Sequence, residues 1–338
     1  MDIVVTPLHP ADDDAVARAY DIRAEAWAAD NPDLPPYDRR IFVAGLRHPL
    51  PSDEKRYALA YLDGVAAGYL ELRLPQRENR ENAVVVLVVR PAYRRRGVGR
   101  ALYDHAVRLL RALGRKRILA ETFTRNPDGA PTGAGDAFAA AMGAHIALTD
   151  IRRRLDLTTL DEAELDRLLA EGRARAEGYS VVTWVGATPE EHLADVAYLN
   201  SRLTGDAPTG DITWEPPAPD TTRFREFEAT QAAQGWRWYN CGARHDATGR
   251  IVGWTAIAVS SGCDWHAWQQ ITLVDPGHRG HRLGTIIKIE NLRHVTAHQP
   301  ALRVIDTFNA KANSHMISIN EALGYRAVGG VTNWQAVL

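Results

Sequence analysis

The sequence predicts a mixed α/β (α+β) fold built twice over, and three observations carry that prediction. Apolar runs of strand length alternate along the chain with longer stretches of 3- and 4-residue apolar spacing. The stretch VVVLVVRPAYRRRGVGRALYDHAV at 84–107 has a worn counterpart in QQITLVDPGHRGHRLGTIIKIENL at 269–292. The two lie in a register that reaches well beyond them. Gly64 and Gly249, Gly68 and Gly253, Val89 and Val274, Pro91 and Pro276, Arg94 and Arg279, and Gly99 and Gly284 are each 185 residues apart. ETF at 121–123 meets DTF at 306–308 in the same register, and earlier, at a shift of 177, VVTPLHPADDD from 4 resembles VVTWVGATPEE from 181. An ungapped register this long implies duplication. Two homologous domains are therefore expected at 1–158 and 178–338, joined at 159–177.

Each element has its own warrant. A short strand at 3–6, repeated at 180–185, leads into a helix at 11–28, repeated at 189–203. Two strands then turn about Asp63-Gly64 and about Thr248-Gly249, a hairpin signal. A strand at 83–89 (268–274) precedes the glycine-bearing loop and a helix at 100–113 (285–297). Leu102, Ala106, Leu109, Leu110 and Leu113 make the first of these helices amphipathic. A strand at 117–123 (302–308) and a helix at 134–142 (312–323) close each copy. In the join, Thr159 or Asp161 can cap a helix that Leu165, Leu168 and Leu169 make apolar on one face and that Gly178 stops. It reads as a packed linker helix.

Composition narrows the function. Hydrophobic and charged fractions of 45% and 24% are those of an ordinary globular protein, and 338 residues suit two domains of about 150 each. MDIVVTPLHPADDD lacks the parts of a signal peptide, and no apolar run approaches the roughly 20 residues of a membrane span, so the cytoplasm is the expected location. A net charge of −2 speaks against non-specific nucleic-acid binding. Cys241 and Cys263 form no ligand pattern, so free thiols and no metal are expected.

Strand, basic glycine loop and helix N-terminus together favour a phosphate. The first helical N–H groups lack internal partners, and the helix dipole places partial positive charge there. Gly97 and Gly99 allow close backbone approach, and Arg94, Arg95, Arg96 and Arg100 add charge around Val98. A tight strand–helix turn with solvated arginines is the plain alternative. A Walker lysine and the third glycine of a dinucleotide fingerprint are both missing.

RRRGVG preceded by VRP resembles the R/Q-x-x-G-x-G/A signature of the GNAT acyltransferase superfamily. The resemblance covers both copies, an arrangement similar to that of mycothiol synthase. It implies that each domain is a central mixed, mostly antiparallel sheet with helices on both faces. It further implies an acyl-CoA co-substrate, by expectation acetyl-CoA, with its pyrophosphate on the loop and its pantetheine along the preceding strand. The implied coenzyme residues are Val88, Val89, Arg94, Arg95, Arg96, Gly97, Val98, Gly99 and Arg100 in the first copy. In the second they are Val274, Arg279, Gly280, His281, Arg282, Leu283, Gly284, Asn309 and Asn313.

Both copies depart from the family. Ala139 and Asn320 fall where the family carries a tyrosine acid, and Arg282 replaces the first signature glycine. A non-glycine there costs on the order of 1–2 kcal/mol if the backbone is left-handed. On glycine grounds the first loop is the better coenzyme site, while TFNAKANSHMISINEALGYR gives the second copy the fuller second motif.

The implied chemistry is attack of a neutral amine on the thioester, for which a base is useful because an alkylammonium is rarely neutral at pH 7. Glu121 and Asp306, equivalent in the register, are candidate bases, as are His266 and Asp264. In GDAPTGDITWEPP from Gly205, where the family's acceptor segment falls, Asp206, Asp211 and Trp214 are candidates to hold a cationic amine. The expected protein is an acyltransferase acting on a small-molecule amine. The alternatives are a non-catalytic coenzyme-binding or regulatory protein, or transfer from a longer acyl-CoA or an aminoacyl-tRNA. The last would use the basic face of Arg108, Arg111, Arg115, Lys116 and Arg117.

Overall fold

A computed structural model describes residues 2–338. The chain runs β1 (Ile3–Leu8), α1 (Asp13–Asp30), α2 (Arg39–Arg47), β2 (Asp53–Leu62), β3 (Val65–Pro75), β4 (Asn82–Val89), α3 (Val98–Ala112), β5 (Arg117–Thr124), α4 (Ala134–Ala141) and β6 (His145–Asp156). It continues through α5 (Glu162–Arg173), β7 (Tyr179–Val185), α6 (Glu190–Asp206), α7 (Thr221–Ala233), β8 (Trp236–His245), β9 (Ile251–Ser260), β10 (His266–Val274), α8 (Leu283–His298), β11 (Val304–Ala310), α9 (Ser314–Ala322) and β12 (Arg326–Val337).

These elements form two compact units whose composition is not that of the two sequence copies. The first unit holds residues 2–149 together with 210–215 and 331–338; the second holds 150–209 and 216–330. The expected join at 159–177 does contain a helix, α5, but α5 packs in the second unit, where Leu165 and Leu169 share a core with Ile286 and Ile289 of α8. Each half of the sequence thus gives its last strand, in part, to the other unit. Neither β6 nor β12 is expected from the sequence, where the helices at 134–142 and 312–323 close each copy; their apolar residues follow no clean alternation.

In the first unit the strands run in the order β1-β2-β3-β4-β5, with β12 next to β5. The first three pairings are antiparallel and β4/β5 is parallel. α3 covers one face through Val98, Leu102, Ala106 and Leu110, which meet Ala58, Leu70, Leu72 and Val85. That approach is close: a Cβ on Gly68 would lie 2.8 Å from Leu102 and from Val98. α1 and α2 cover the other face. Asp12 caps α1 by accepting from the Ala15 N–H, and Ala15, Val16, Ala19 and Ile22 pack with Phe42, Leu59 and Tyr69.

The second unit repeats the plan in the order β7-β8-β9-β10-β11-β6. β10/β11 is its parallel pair, and β6 closes it antiparallel to β11. α8 lies on one face and α6 with α7 on the other. β10 carries a bulge between Gln269 and Thr272, where the pairing of β4 in the first unit stays regular.

Candidate functional site

In both units the parallel pair opens into a V. β4 and β5 pair only through Asn82–Arg117, Ala83–Ile118 and Val84–Leu119, and β10 and β11 only through the three pairs beginning at His266–Val304. Beyond these the strands separate, and the half-buried Val88, Val89 and Val274 lie on the diverging part. At the upper end of each V stands the N-terminus of the helix that follows.

The two loops leading to those helices share a backbone. Arg95 (φ 62°) and Gly97 (φ 87°) are left-handed in the first; Gly280 (φ 93°) and Arg282 (φ 58°) are left-handed in the second. Each loop therefore carries one glycine and one arginine in the region that favours glycine. Arg282 does not deform its loop, and the glycine argument for preferring the first loop loses most of its weight.

Arg94 and Arg279 have other partners than a ligand. Arg94 donates from Nε to the Val89 carbonyl (3.2 Å) and grips both Asp30 oxygens at 2.9 and 2.7 Å. Arg279 donates from Nε to the Val274 carbonyl (3.1 Å) and pairs with Asp206 at 2.8 Å. Each fastens its loop to the C-terminal end of a helix, α1 in the first unit and α6 in the second. Arg95, Arg96, Gly97 and Arg100 are exposed, whereas Val98 is buried beneath the helix.

The surroundings of the loops differ more than the loops. In α3 the first N–H with a backbone acceptor is that of Ala101, on Gly97; in α8 it is that of Thr285, three residues after its acceptor Arg282. The tightened turn leaves α8 one fewer N–H for a ligand, those of Leu283 and Gly284. The last turn of α5 also crosses the second loop. The His281 ring bonds the Arg175 carbonyl (3.0 Å), and a Cβ on Gly172 would lie 3.7 Å from the Arg282 Cβ.

Of the candidate bases, Asp306 is not placed to act as one. It is fully buried, bonded by Arg152 (3.1 Å), Arg154 (2.8 Å from two nitrogens) and His266 (3.1 Å). Burial pushes its carboxyl up, but the bonds from Arg154 and His266 outweigh this and hold it at about 2. His266, also buried, belongs to the same cluster. Above the cluster Trp268 and Phe308 stack across β10 and β11, with ring centres 5.5 Å apart. Asp264 is exposed in the turn before β10. Glu121, equivalent to Asp306 in the register, is exposed on β5.

The second motif in β11 and α9 is structural in detail. Asn313 caps α9 by accepting the Met316 N–H, and Asn309 accepts from Asn320 (2.7 Å). The proposed acceptor segment after Gly205 also has other partners. Asp206 is held by Arg202 and Arg279, and residues 210–215 belong to the first unit, where the Asp211 N–H meets the Ala147 carbonyl and Trp214 lies 5.9 Å from the Arg73 guanidinium.

On the α1 face of the first unit stands a cluster the sequence reading missed. Arg23 donates twice to the Tyr37 hydroxyl (3.0 and 2.6 Å); Trp27 meets Tyr37 (5.8 Å) and Phe123 of β5 (5.6 Å). Tyr69 donates to Glu71 (3.0 Å), whose other oxygen pairs with Lys55 (2.8 Å). Tyr20, Arg23 and Trp27, three and four residues apart, were a legible stripe on one face of α1.

Two units with an opened parallel pair of strands, each feeding a left-handed loop and a helix N-terminus, define the class of fold. Residues 16–130 match the family described as "Acetyltransferase (GNAT) family". A tandem GNAT protein from the clavulanic acid biosynthesis pathway is 34% identical over 99% of this chain and 98% of that one, with a TM-score of 0.84. A GCN5-related N-acetyltransferase from Sphaerobacter thermophilus shares the fold at 14% identity and a TM-score of 0.65, over 99% and 95% of the two chains. No curated protein matches. The chain belongs to the GNAT family, as a tandem of two GNAT domains. Among the described residues no helix is long and apolar enough to cross a membrane, and no group of His, Cys, Asp and Glu side chains is arranged to hold a metal ion.

Proposed function

We propose that the protein is an acyl-CoA-dependent N-acyltransferase, with acetyl-CoA as donor and a small amine as acceptor, and that the first unit carries the reaction. The observation that carries this is the exposed Arg95–Arg100 loop, which delivers the unpaired N–H groups of α3 beside the opening between β4 and β5. The N–H groups of Val98, Gly99 and Arg100 would hold the pyrophosphate, with the guanidinium groups of Arg95, Arg96 and Arg100 around it. The cradle suits such a group: Gly97 is exposed and left-handed, and a Cβ there would stand 3.2 Å from Ile3. Coenzyme A supplies an activated thioester.

Glu121, on the rim of the gap, takes the proton that an ammonium must lose before its nitrogen can attack. The balance is simple: after the ammonium has given one proton to Glu121, an N–C bond forms and the C–S bond breaks, the nitrogen gives up its second proton to solvent, and the sulfur leaves as thiolate to be protonated by solvent. Ala139 offers no acid for that last step, and a thiolate needs little help to leave. The missing acid in both copies is also what favours the second reading, a coenzyme-binding protein without turnover. The third, transfer from an aminoacyl-tRNA, is weakened because Arg115 donates to the Pro75 and Asn82 carbonyls while Lys116 and Arg117 both pair with Glu81.

The test is thiol release from acetyl-CoA over a panel of amines. Amine-dependent release that falls in Glu121→Gln supports transfer in the first unit; binding of acetyl-CoA without release from any amine supports the second reading.

A further inference from the structure

The α1 face of the first unit holds a cation without an anion. Arg23 is half-buried among the rings of Tyr37 (4.8 Å from the guanidinium carbon) and Tyr69 (5.6 Å). Its only hydrogen-bond partner among the described residues is the Tyr37 hydroxyl, and no carboxylate pairs with it. The nearest candidate, Glu71, already has one oxygen on Lys55 and the other on Tyr69. Two neighbouring arginines have carboxylates of their own: Arg90 faces Glu25 at 3.6 Å and Arg94 holds Asp30. Lys55, Glu71 and Arg23 therefore leave one positive charge in excess, in a place where removal from water makes an unmatched charge expensive.

The geometry also says what kind of anion is missing. Tyr37 accepts from Nε and Nη2, one edge of the guanidinium, which leaves the Nη1–Nη2 edge to donate two parallel N–H bonds. That edge matches a carboxylate. Its position adjoins the gap. Tyr69, under Arg23, pairs with Val88 on the diverging part of β4, and ring contacts run from Tyr37 through Trp27 to Phe123, on the opposite side of the V.

Taking as its basis the reading that acyl transfer occurs in this unit, we propose that Arg23, oriented by Tyr37, binds a carboxylate of the acceptor, so that the acceptor class is amino acids and amino-acid-like zwitterions rather than simple amines. The amine is then presented to the gap from one end and the carboxylate held at the other. Arg23 is the specificity residue, and Tyr37 its positioning residue.

Two measurements test this. The first compares kcat/KM for amino acids with that for their decarboxylated amines and their carboxamides. Wild type is expected to prefer the carboxylates by about tenfold or more, mainly through KM. Arg23→Met levels the preference, Arg23→Lys keeps part of it, and Tyr37→Phe weakens it. Equal rates with and without the carboxylate in wild type, or a preference that survives Arg23→Met in protein of unchanged melting temperature, overturns the proposal. The second needs no turnover: calorimetric binding of N-acetyl amino acids and of their neutral amides. Tighter binding of the acids, lost in Arg23→Met and partly kept in Arg23→Lys, upholds carboxylate recognition even if no acyl transfer is found. Binding that ignores the carboxylate or the arginine, or no binding of either series, overturns it whatever the transfer assay shows.

Discussion

Trp334, near the end of the chain, donates its indole N–H to the Thr122 hydroxyl of β5 at 2.7 Å, across 212 residues of sequence. Thr122 in turn bonds Asp136, whose other oxygen accepts the Gly133 N–H at the start of α4. The last strand of the chain thereby fastens the helix that flanks the first unit's gap. Ala336 sits in that unit's core, and the Leu338 N–H meets the Lys116 carbonyl at 2.9 Å.

Truncation after residue 330 is therefore expected to unfold the first unit's gap rather than trim a tail. Hydrogen exchange should show loss of protection in β5 and α4, and residues 1–158 alone should not fold cooperatively. Trp334→Phe, which removes one hydrogen bond, should lower stability by about 1 kcal/mol. Full protection of β5 in the truncated chain would contradict this.

The buried Asp306 cluster should dominate acid unfolding of the second unit. Its carboxyl lies at about 2 in the folded chain against about 3.9 unfolded. A depressed carboxyl stabilises above the unfolded value, and that contribution is lost as pH falls from about 4 toward 2. Asp306→Asn leaves Arg152, Arg154 and His266 without their anion and should destabilise by roughly 3–5 kcal/mol at neutral pH. Urea unfolding at pH 7 and pH 3 checks both the size of the loss and its convergence at low pH.

For Lys288 the substitution is expected to have the opposite effect. It is buried on α8 with its ammonium 5.3 Å from the Tyr325 ring, and burial alone pulls it down to about 7. Between about 7 and the unfolded value of about 10.4 the unfolded chain binds more protons, so stability rises with pH by up to about 1.4 kcal/mol per unit. Lys288→Met should be more stable than wild type near pH 7, with the difference shrinking toward pH 10. Parallel curves for the two proteins would show that Lys288 stays charged when folded.

Much of this fold was legible in the sequence because duplication repeats spacing, and spacing survives substitution. The 185-residue register placed β4, α3 and β5 against β10, α8 and β11, and it set Arg282 opposite Gly97. What was not legible depends on partners far away in the chain. The strands of HIALTDIRRRLD and RAVGGVTNWQAV are not expected, because each copy reads as closing with the helix before them, and nothing local says which strand either one joins. Arg94 and Arg279 sit in the signature and so read as phosphate ligands, while Asp30 and Asp206, which hold them, lie 64 and 73 residues away. Asp306 and Glu121 align as equals in sequence; only burial and the two arginines of β6 separate a structural carboxylate from a candidate base.

The shared backbone of the two loops makes a fourth prediction. Arg282→Gly should stabilise by about 1 kcal/mol by relieving a left-handed arginine, and Gly97→Ala should destabilise by about 1–2 kcal/mol. Thermal unfolding of the two variants measures both signs.

The central claim is that the first unit's loop is where the coenzyme is held. Calorimetric titration of acetyl-CoA into wild type, an Arg96→Glu/Arg100→Glu variant and an Arg282→Glu variant tests it most directly, because all three side chains are exposed and the folds should persist. One site in wild type, weakened at least tenfold in the double variant and unchanged in Arg282→Glu, is the predicted result. Binding that survives in the double variant and is lost in Arg282→Glu would contradict the claim and move the coenzyme to the second unit.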